Sequence, residues 1–163
     1  MITFIYPKDD WTAAETVMKM QALAASQGYD VYSTPKNTKR NINDINMKLA
    51  KTKYAIFIAI DAENIDADTE QELKTLSESS AEIYYVIPEE FEQKLHLKET
   101  EHVYRYKRSN PRSLLNSVQQ VLSDIKTKQK TLQGQKTDTG DLIALLAIIG
   151  LLLFFLWLIF KKE

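Results

Sequence analysis

Two spacings of apolar residues take turns along the first 125 positions. Short runs, continuous or alternating, are separated by longer stretches in which apolar residues recur every three or four positions. The first kind reads as strand and the second as helix. ITFIY (2–6) is short, apolar and β-rich. Thr12 to Gln27 follows with helical spacing, opened by a capping box of Thr12 with Glu15 and closed by Gly28 at C′. YDVYS (29–33) alternates like a strand, and Ile42, Ile45 and Leu49 then share one helical face. YAIFIAI (54–60) is apolar throughout, which predicts a central parallel strand covered on both faces. Thr69 to Ser79 is helical with Leu73 and Leu76 inward, and IYYVI (83–87) is a strand closed by Pro88. A short helix carries Phe91 and Leu95, and HVYRY (102–106) gives a fifth strand. Asn110 and Pro111 open a last helix whose face is Leu115, Val118, Leu122 and Ile125.

Five strand–helix units in this length predict an α/β fold. The expected form is a flavodoxin-like open parallel five-stranded sheet, order 2-1-3-4-5, with helices on both faces. In such sheets ligands bind beyond the carboxyl ends of the strands, near the point where the strand order reverses. That edge comprises Tyr6 to Trp11, Ser33 to Lys36, and Asp61 to Glu72.

The end of the chain breaks the pattern. Leu142 to Phe160 (LIALLAIIGLLLFFLWLIF) carries no polar side-chain group except the indole nitrogen of Trp157. At ~1.5 Å per residue it reaches roughly 28 Å, close to the ~30 Å hydrocarbon core of a bilayer. It predicts a transmembrane helix over 142–160. The start, MITFIYPKDD, has no basic region leading an apolar one, so the span reads as a tail anchor. Lys126, Lys128, Lys130 and Lys136 outweigh Lys161 and Lys162, which places the domain on the cytoplasmic side of the cell inner membrane. Residues 126–141 (KTKQKTLQGQKTDTGD) read as a flexible tether, leaving 1–125 as the folded domain. Ala144, Ala147 and Gly150 form a weak small-residue stripe along which spans could meet.

Composition then removes several kinds of chemistry. The 163 residues hold no cysteine, so disulfides, thiolate metal sites and cysteine nucleophiles are out. Only Gly28 lies in the first 130 residues, too few glycines for a dinucleotide-binding turn or a P-loop. His96 and His102 have no third ligand at a metal-like spacing, so no metal or other cofactor is expected. The net charge of −1 gives no field that would gather nucleic acid. The basic loops KNTKR (36–40) and YRYKRSNPR (104–112) read chiefly as solvated.

Candidate chemistry gathers in IDADTEQELKTL (65–76), where Asp66, Asp68, Glu70 and Glu72 follow directly on the central strand. A carboxylate able to attack or stabilise an anomeric centre, beside an acid that orients sugar hydroxyls, suits glycosidic-bond chemistry. Glu72 and Asp66 fit those roles. Equally, Thr69 and Glu72 have the spacing of a capping box, and acids favour a helix N-terminus. Asp68 and Asp66 are either acid–base partners or caps. Tyr6 and Trp11 either stack on a nucleobase or simply pack.

The stretches FIYPKDDWTAAE…LAASQGYDVYSTP and INMKLAKTKYAIFIAID, followed by DADTEQEL, resemble nucleoside 2-deoxyribosyltransferase-like proteins and TIR domains over residues 2–88. The resemblance implies a catalytic glutamate at Glu72, a substrate-orienting acid at Asp66, and binding positions at Tyr6 and Asp61. The family's signature glycine is Asp68 here, and the tryptophan–cysteine pair common before the TIR glutamate is absent. The implied activity is cleavage of the N-glycosidic bond of a nucleotide such as NAD, in an effector of bacterial anti-phage defence. Its alternatives are a non-catalytic sensor of a nucleotide-derived signal that self-associates as a homo-oligomer at the membrane, and a tail-anchored adaptor. The expected partners are thus a nucleotide-type small molecule, membrane lipid and further copies of the chain, with no nucleic acid.

Overall fold

A strand apolar at every position needs cover on both faces, and the central strand has it. In the computed structural model, which describes residues 1–26, 30–36, 40–62, 64–91 and 101–133, every residue of Tyr54–Ile58 is buried. It is the third strand, β3, of a five-stranded parallel sheet. Its companions are β1 (Ile2–Ile5), β2 (Val31–Ser33), β4 (Glu82–Pro88) and β5 (Glu101–Tyr106), in the order β2-β1-β3-β4-β5. The helices are α1 (Trp11–Ser26), α2 (Ile42–Leu49), α3 (Ala67–Ser77) and α4 (Pro111–Gln133).

The two-residue period of the strands sorts the core into two layers. Phe4, Ile56, Ile58, Tyr84, Val86 and Tyr106 face one way, onto α1 (Ala13, Ala14, Val17, Met20) and α4 (Leu114, Val118, Val121, Ile125). Ile5, Ala55, Phe57, Ile83, Tyr85 and Ile87 face the other way, onto α2 (Ile45, Leu49) and α3 (Leu73, Leu76). This division follows from topology. The α1 crossover runs from β1 out to β2, while α2 returns to β3 and α3 continues to β4. Right-handed crossovers in opposite directions must lie on opposite faces. The reversal between β1 and β3 therefore opens at the carboxyl edge between the β1–α1 and β3–α3 connections.

Several local expectations are corrected. Asp10 caps α1, not Thr12, because the Asp10 carboxylate accepts the Ala13 N–H at 2.8 Å. The third helix begins at Ala67 under the cap of Asp66, two residues before Thr69. Ile42 is the first residue of α2 and 54% exposed, so only Ile45 and Leu49 of the expected face turn inward. On α4 the buried stripe is Leu114, Val118, Val121 and Ile125. The Leu115 side chain, Gly28 and the helix expected around Leu95 lie outside the described residues, as does the span 142–160.

The tether was expected from residue 126, yet α4 continues to Gln133. Lys128 explains the first turn of the extension. It forms an ion pair with Glu82 and meets His102 Nε2 at 3.2 Å, with its ammonium 5.6 Å from the Tyr84 ring centre. Asp124 accepts the Tyr104 hydroxyl beside it. Among the described residues no helix is long and apolar enough to cross a membrane.

Candidate functional site

The carboxyl edge is built around two clusters of polar side chains. The first holds the chain as it leaves β3. Asp10 Oδ2 accepts three consecutive backbone N–H groups, from Ile60 at 2.6 Å, Asp61 at 3.0 Å and Ala62 at 3.1 Å. Arg108 supplies the complementary half, donating to the carbonyls of Ile60 (2.9 Å), Asp61 (3.1 Å) and Ala62 (3.0 Å). Tyr106 adds its hydroxyl to the Ala59 carbonyl at 2.9 Å. A segment leaving a strand has no ladder to satisfy its backbone, and unpaired buried groups are costly. Here one acid and one base, from β1–α1 and β5–α4, satisfy it completely. The Asp61 side chain is exposed and accepts a hydrogen bond from the Thr12 hydroxyl.

The second cluster surrounds the start of α3. Asp66 Oδ1 accepts the Thr69 N–H at 3.0 Å, and Oδ2 accepts the Lys8 N–H and the Thr69 hydroxyl, each at 2.7 Å. Partial burial works to raise the Asp66 carboxyl, but these hydrogen bonds outweigh it and hold its pKa below the ordinary value of 3.8. Thr69 is fully buried and also touches the carbonyl of Tyr6 at 3.2 Å. Asp66 thus ties β1–α1 to α3 as well as capping the helix.

Glu72 lies one turn further into α3, on its inner face. Its carboxylate is 3% exposed and engaged at both oxygens, Oε2 by Lys36 Nζ at 2.7 Å and Oε1 by Arg40. Lys36 is itself fully buried and donates to Thr69 Oγ1 at 2.7 Å. Its ammonium sits 5.9 Å from the Tyr6 ring centre. Burial pushes the Lys36 pKa down, against the pull of the Glu72 carboxylate. Burial and then Glu72 raise the Tyr6 phenol. Arg40 continues outward to Asp68, whose side chain is 51% exposed. The result is a chain of charges, Lys36–Glu72–Arg40–Asp68, running from the interior to the surface.

The expected site residues therefore separate. Tyr6, Asp66 and Glu72 meet through Thr69 and Lys36, and Asp68 joins them through Arg40. Asp61 belongs to the Asp10–Arg108 cluster. Trp11 opens α1 with 69% of its surface exposed and enters neither cluster. The capping box expected of Thr69 and Glu72 does not form, because Asp66 takes the cap and Glu72 points inward to Lys36.

Four residues central to the edge escaped the sequence pattern: Asp10, Lys36, Arg40 and Arg108. Asp10 had a visible signal, an acid just before a helical stretch. The three bases sit in loops whose composition reads as solvated, and their partners lie on other elements, tens of residues away. Among the described residues no cluster of His, Asp and Glu has the arrangement of a metal site. No protein-family model, curated protein or solved structure matches the chain.

Proposed function

We propose that the chain is a sensor that binds a nucleotide or nucleotide-derived signal at the carboxyl edge of its sheet without cleaving it. In this reading residues 142–160 hold the domain at the cell inner membrane, where further copies assemble with it. The observation that carries it is the state of Glu72. A carboxylate that attacks or stabilises an anomeric carbon must meet that carbon directly. Glu72 is 3% exposed and both its oxygens are held by cations. Such a group organises a site rather than reacting in it. It fixes Lys36 and Arg40, and Tyr6 and Asp66 complete a polar rim beside the chain reversal where open parallel sheets bind ligands.

A second reading is an N-glycosidase acting on NAD or a related nucleotide, and one observation favours it. Tyr6, Asp66 and Glu72, three of the four positions to which the resemblance assigns roles, meet through Thr69 and Lys36. Arg40 would then have to release Glu72 when substrate enters.

The test uses the full chain in detergent with NAD and ADP-ribose. Calorimetry reads binding, and chromatography reads release of nicotinamide. The sensor reading expects binding with no base released. Release by the wild type that disappears in Glu72→Gln would establish the enzyme instead. Absence of binding would leave the membrane-bound adaptor.

A further inference from the structure

Helix α1 is apolar on two sides. Its inner side, Ala13, Ala14, Val17 and Met20, lies in the core. Its outer side carries Trp11, 69% exposed, and Met18, 58% exposed. At roughly 100° per residue, Trp11, Glu15, Met18, Ala22 and Ala25 fall within an arc of about 80°. All five are exposed. Their alternating steps of four and three residues are those of a seam by which one helix packs on another. The outer faces of α3 and α4 differ. Among the described residues they carry Glu70, Gln71 and Lys74, and Arg112, Asn116 and Gln120, in exposed positions.

Size and charge along the stripe say what covers it. Side chains shrink from Trp11 at the start of the helix to Ala22 and Ala25 near its end. A second α1 running antiparallel, with the two-fold axis at Met18, sets each Trp11 opposite the other copy's Ala25. Large then meets small at both ends, and Met18 meets its own counterpart. A two-fold contact of this kind requires a surface that fits itself. Beside the axis, Glu15 and Lys19 form an ion pair within the helix at 2.7 Å. Antiparallel pairing brings two such pairs together as a neutral group, each carboxylate within reach of both ammoniums. The contact is small. A stripe ~21 Å long on a helix ~10 Å wide falls well short of the ~800 Å² per partner of a stable complex. Association through α1 is therefore weak in dilute solution and gains from confinement, which a membrane span supplies by raising the effective concentration.

We propose that the outer face of α1 is the surface through which two copies of the chain associate, antiparallel and two-fold symmetric about Met18. This rests on the reading of the chain as one that assembles with further copies at the membrane, and it names the surface they use.

The test counts copies. Fluorescently labelled full chain is placed in supported bilayers at several densities, with and without ADP-ribose, and photobleaching steps are read for single molecules. Met18→Asp sets two carboxylates face to face at the axis. Met47→Asp makes the same change on α2, at a side chain 60% exposed. The expected result is dimers for wild type and Met47→Asp, and a dimer fraction at least tenfold lower for Met18→Asp. Wild type and Met18→Asp that associate equally would overturn the α1 face while sparing self-assembly. Loss of dimers in Met47→Asp alone would also overturn it and move the contact to α2. Monomers only, for wild type at every density with or without ADP-ribose, would overturn both. Because the chain has no cysteine, Met18→Cys gives a second reading that does not depend on the stability of the charged variant. A disulfide needs Cα atoms within ~7 Å. Under copper–phenanthroline, Met18→Cys should form disulfide-linked dimers at least tenfold faster than Met47→Cys, and equal rates would overturn the face.

Discussion

Lys36 is the side chain whose burial is hardest to sustain, and Glu72 is the reason it stays buried. A buried ammonium without its counter-ion costs several kcal/mol, and removing one partner of a buried pair typically destabilises by ~3–5 kcal/mol. The capping-box reading of Glu72 predicts under ~1 kcal/mol for Glu72→Gln, because glutamine serves at that position too. The observed pairing reverses that expectation and predicts a loss of about 3 kcal/mol or more. Asp10 follows the same logic. Asp10→Ala removes the α1 cap and orphans the N–H groups of residues 60–62, which predicts a loss of about 3 kcal/mol, read by denaturant unfolding. Asp66 supplies a pH-dependent contribution. Its pKa is lowered in the folded chain, so its stabilisation is complete above pH 3.8 and is lost as pH falls through the folded value. Asp66→Asn should therefore be less stable than wild type near neutrality, and the gap should close below pH 3.8 in acid unfolding curves.

At the scale of elements, the strands were the most legible part of the sequence, because a buried parallel strand writes its environment into every residue. Tyr54–Ile58 and Glu82–Pro88 are each apolar enough to be found by eye, and strand order followed from alternation with helices. Helix ends were less legible. Several acids and hydroxyls near each start compete for one cap, and the winner depends on what the others meet across the fold. Thr12 is drawn to Asp61 and Glu72 to Lys36, which leaves the caps to Asp10 and Asp66. The end of α4 was misread because KTKQKTLQ lacks the apolar spacing of a packed helix, and its visible hold is polar. That hold makes a prediction. Lys128→Ala should speed backbone hydrogen exchange in residues 126–133 while changing global stability by no more than ~1 kcal/mol, since the Glu82 pair is partly exposed. Unchanged exchange there would mean that Lys128 does not secure the extension.

Across the whole molecule, alternation predicted the sheet order, and with it which segments meet at the carboxyl edge, but not the ion pairs that form there. The acids of residues 66–72 stand out as a run, whereas Lys36 and Arg40, which pair with Glu72 and Asp68, lie far off in the sequence between β2 and α2. Within that run Glu72 and Asp68 are matched by bases and Asp66 by hydrogen bonds, and such matching is what distinguishes an organising carboxylate from a reactive one. The apolar run 142–160 predicts that a chain ending at Gln133 stays soluble and folded, while the full chain remains with membranes after a carbonate wash. Recovery of the full chain in the washed supernatant would remove the anchor.

The central claim is that Glu72 is spent in holding Lys36, and a double-mutant cycle between the two measures that directly. Unfolding free energies are compared for wild type, Glu72→Gln, Lys36→Met and the double variant. The account predicts a coupling energy of about 2 kcal/mol or more, with the double variant recovering much of what Glu72→Gln loses. Additive losses, with a coupling near zero, would contradict it and return Glu72 to the pool of free carboxylates available for catalysis.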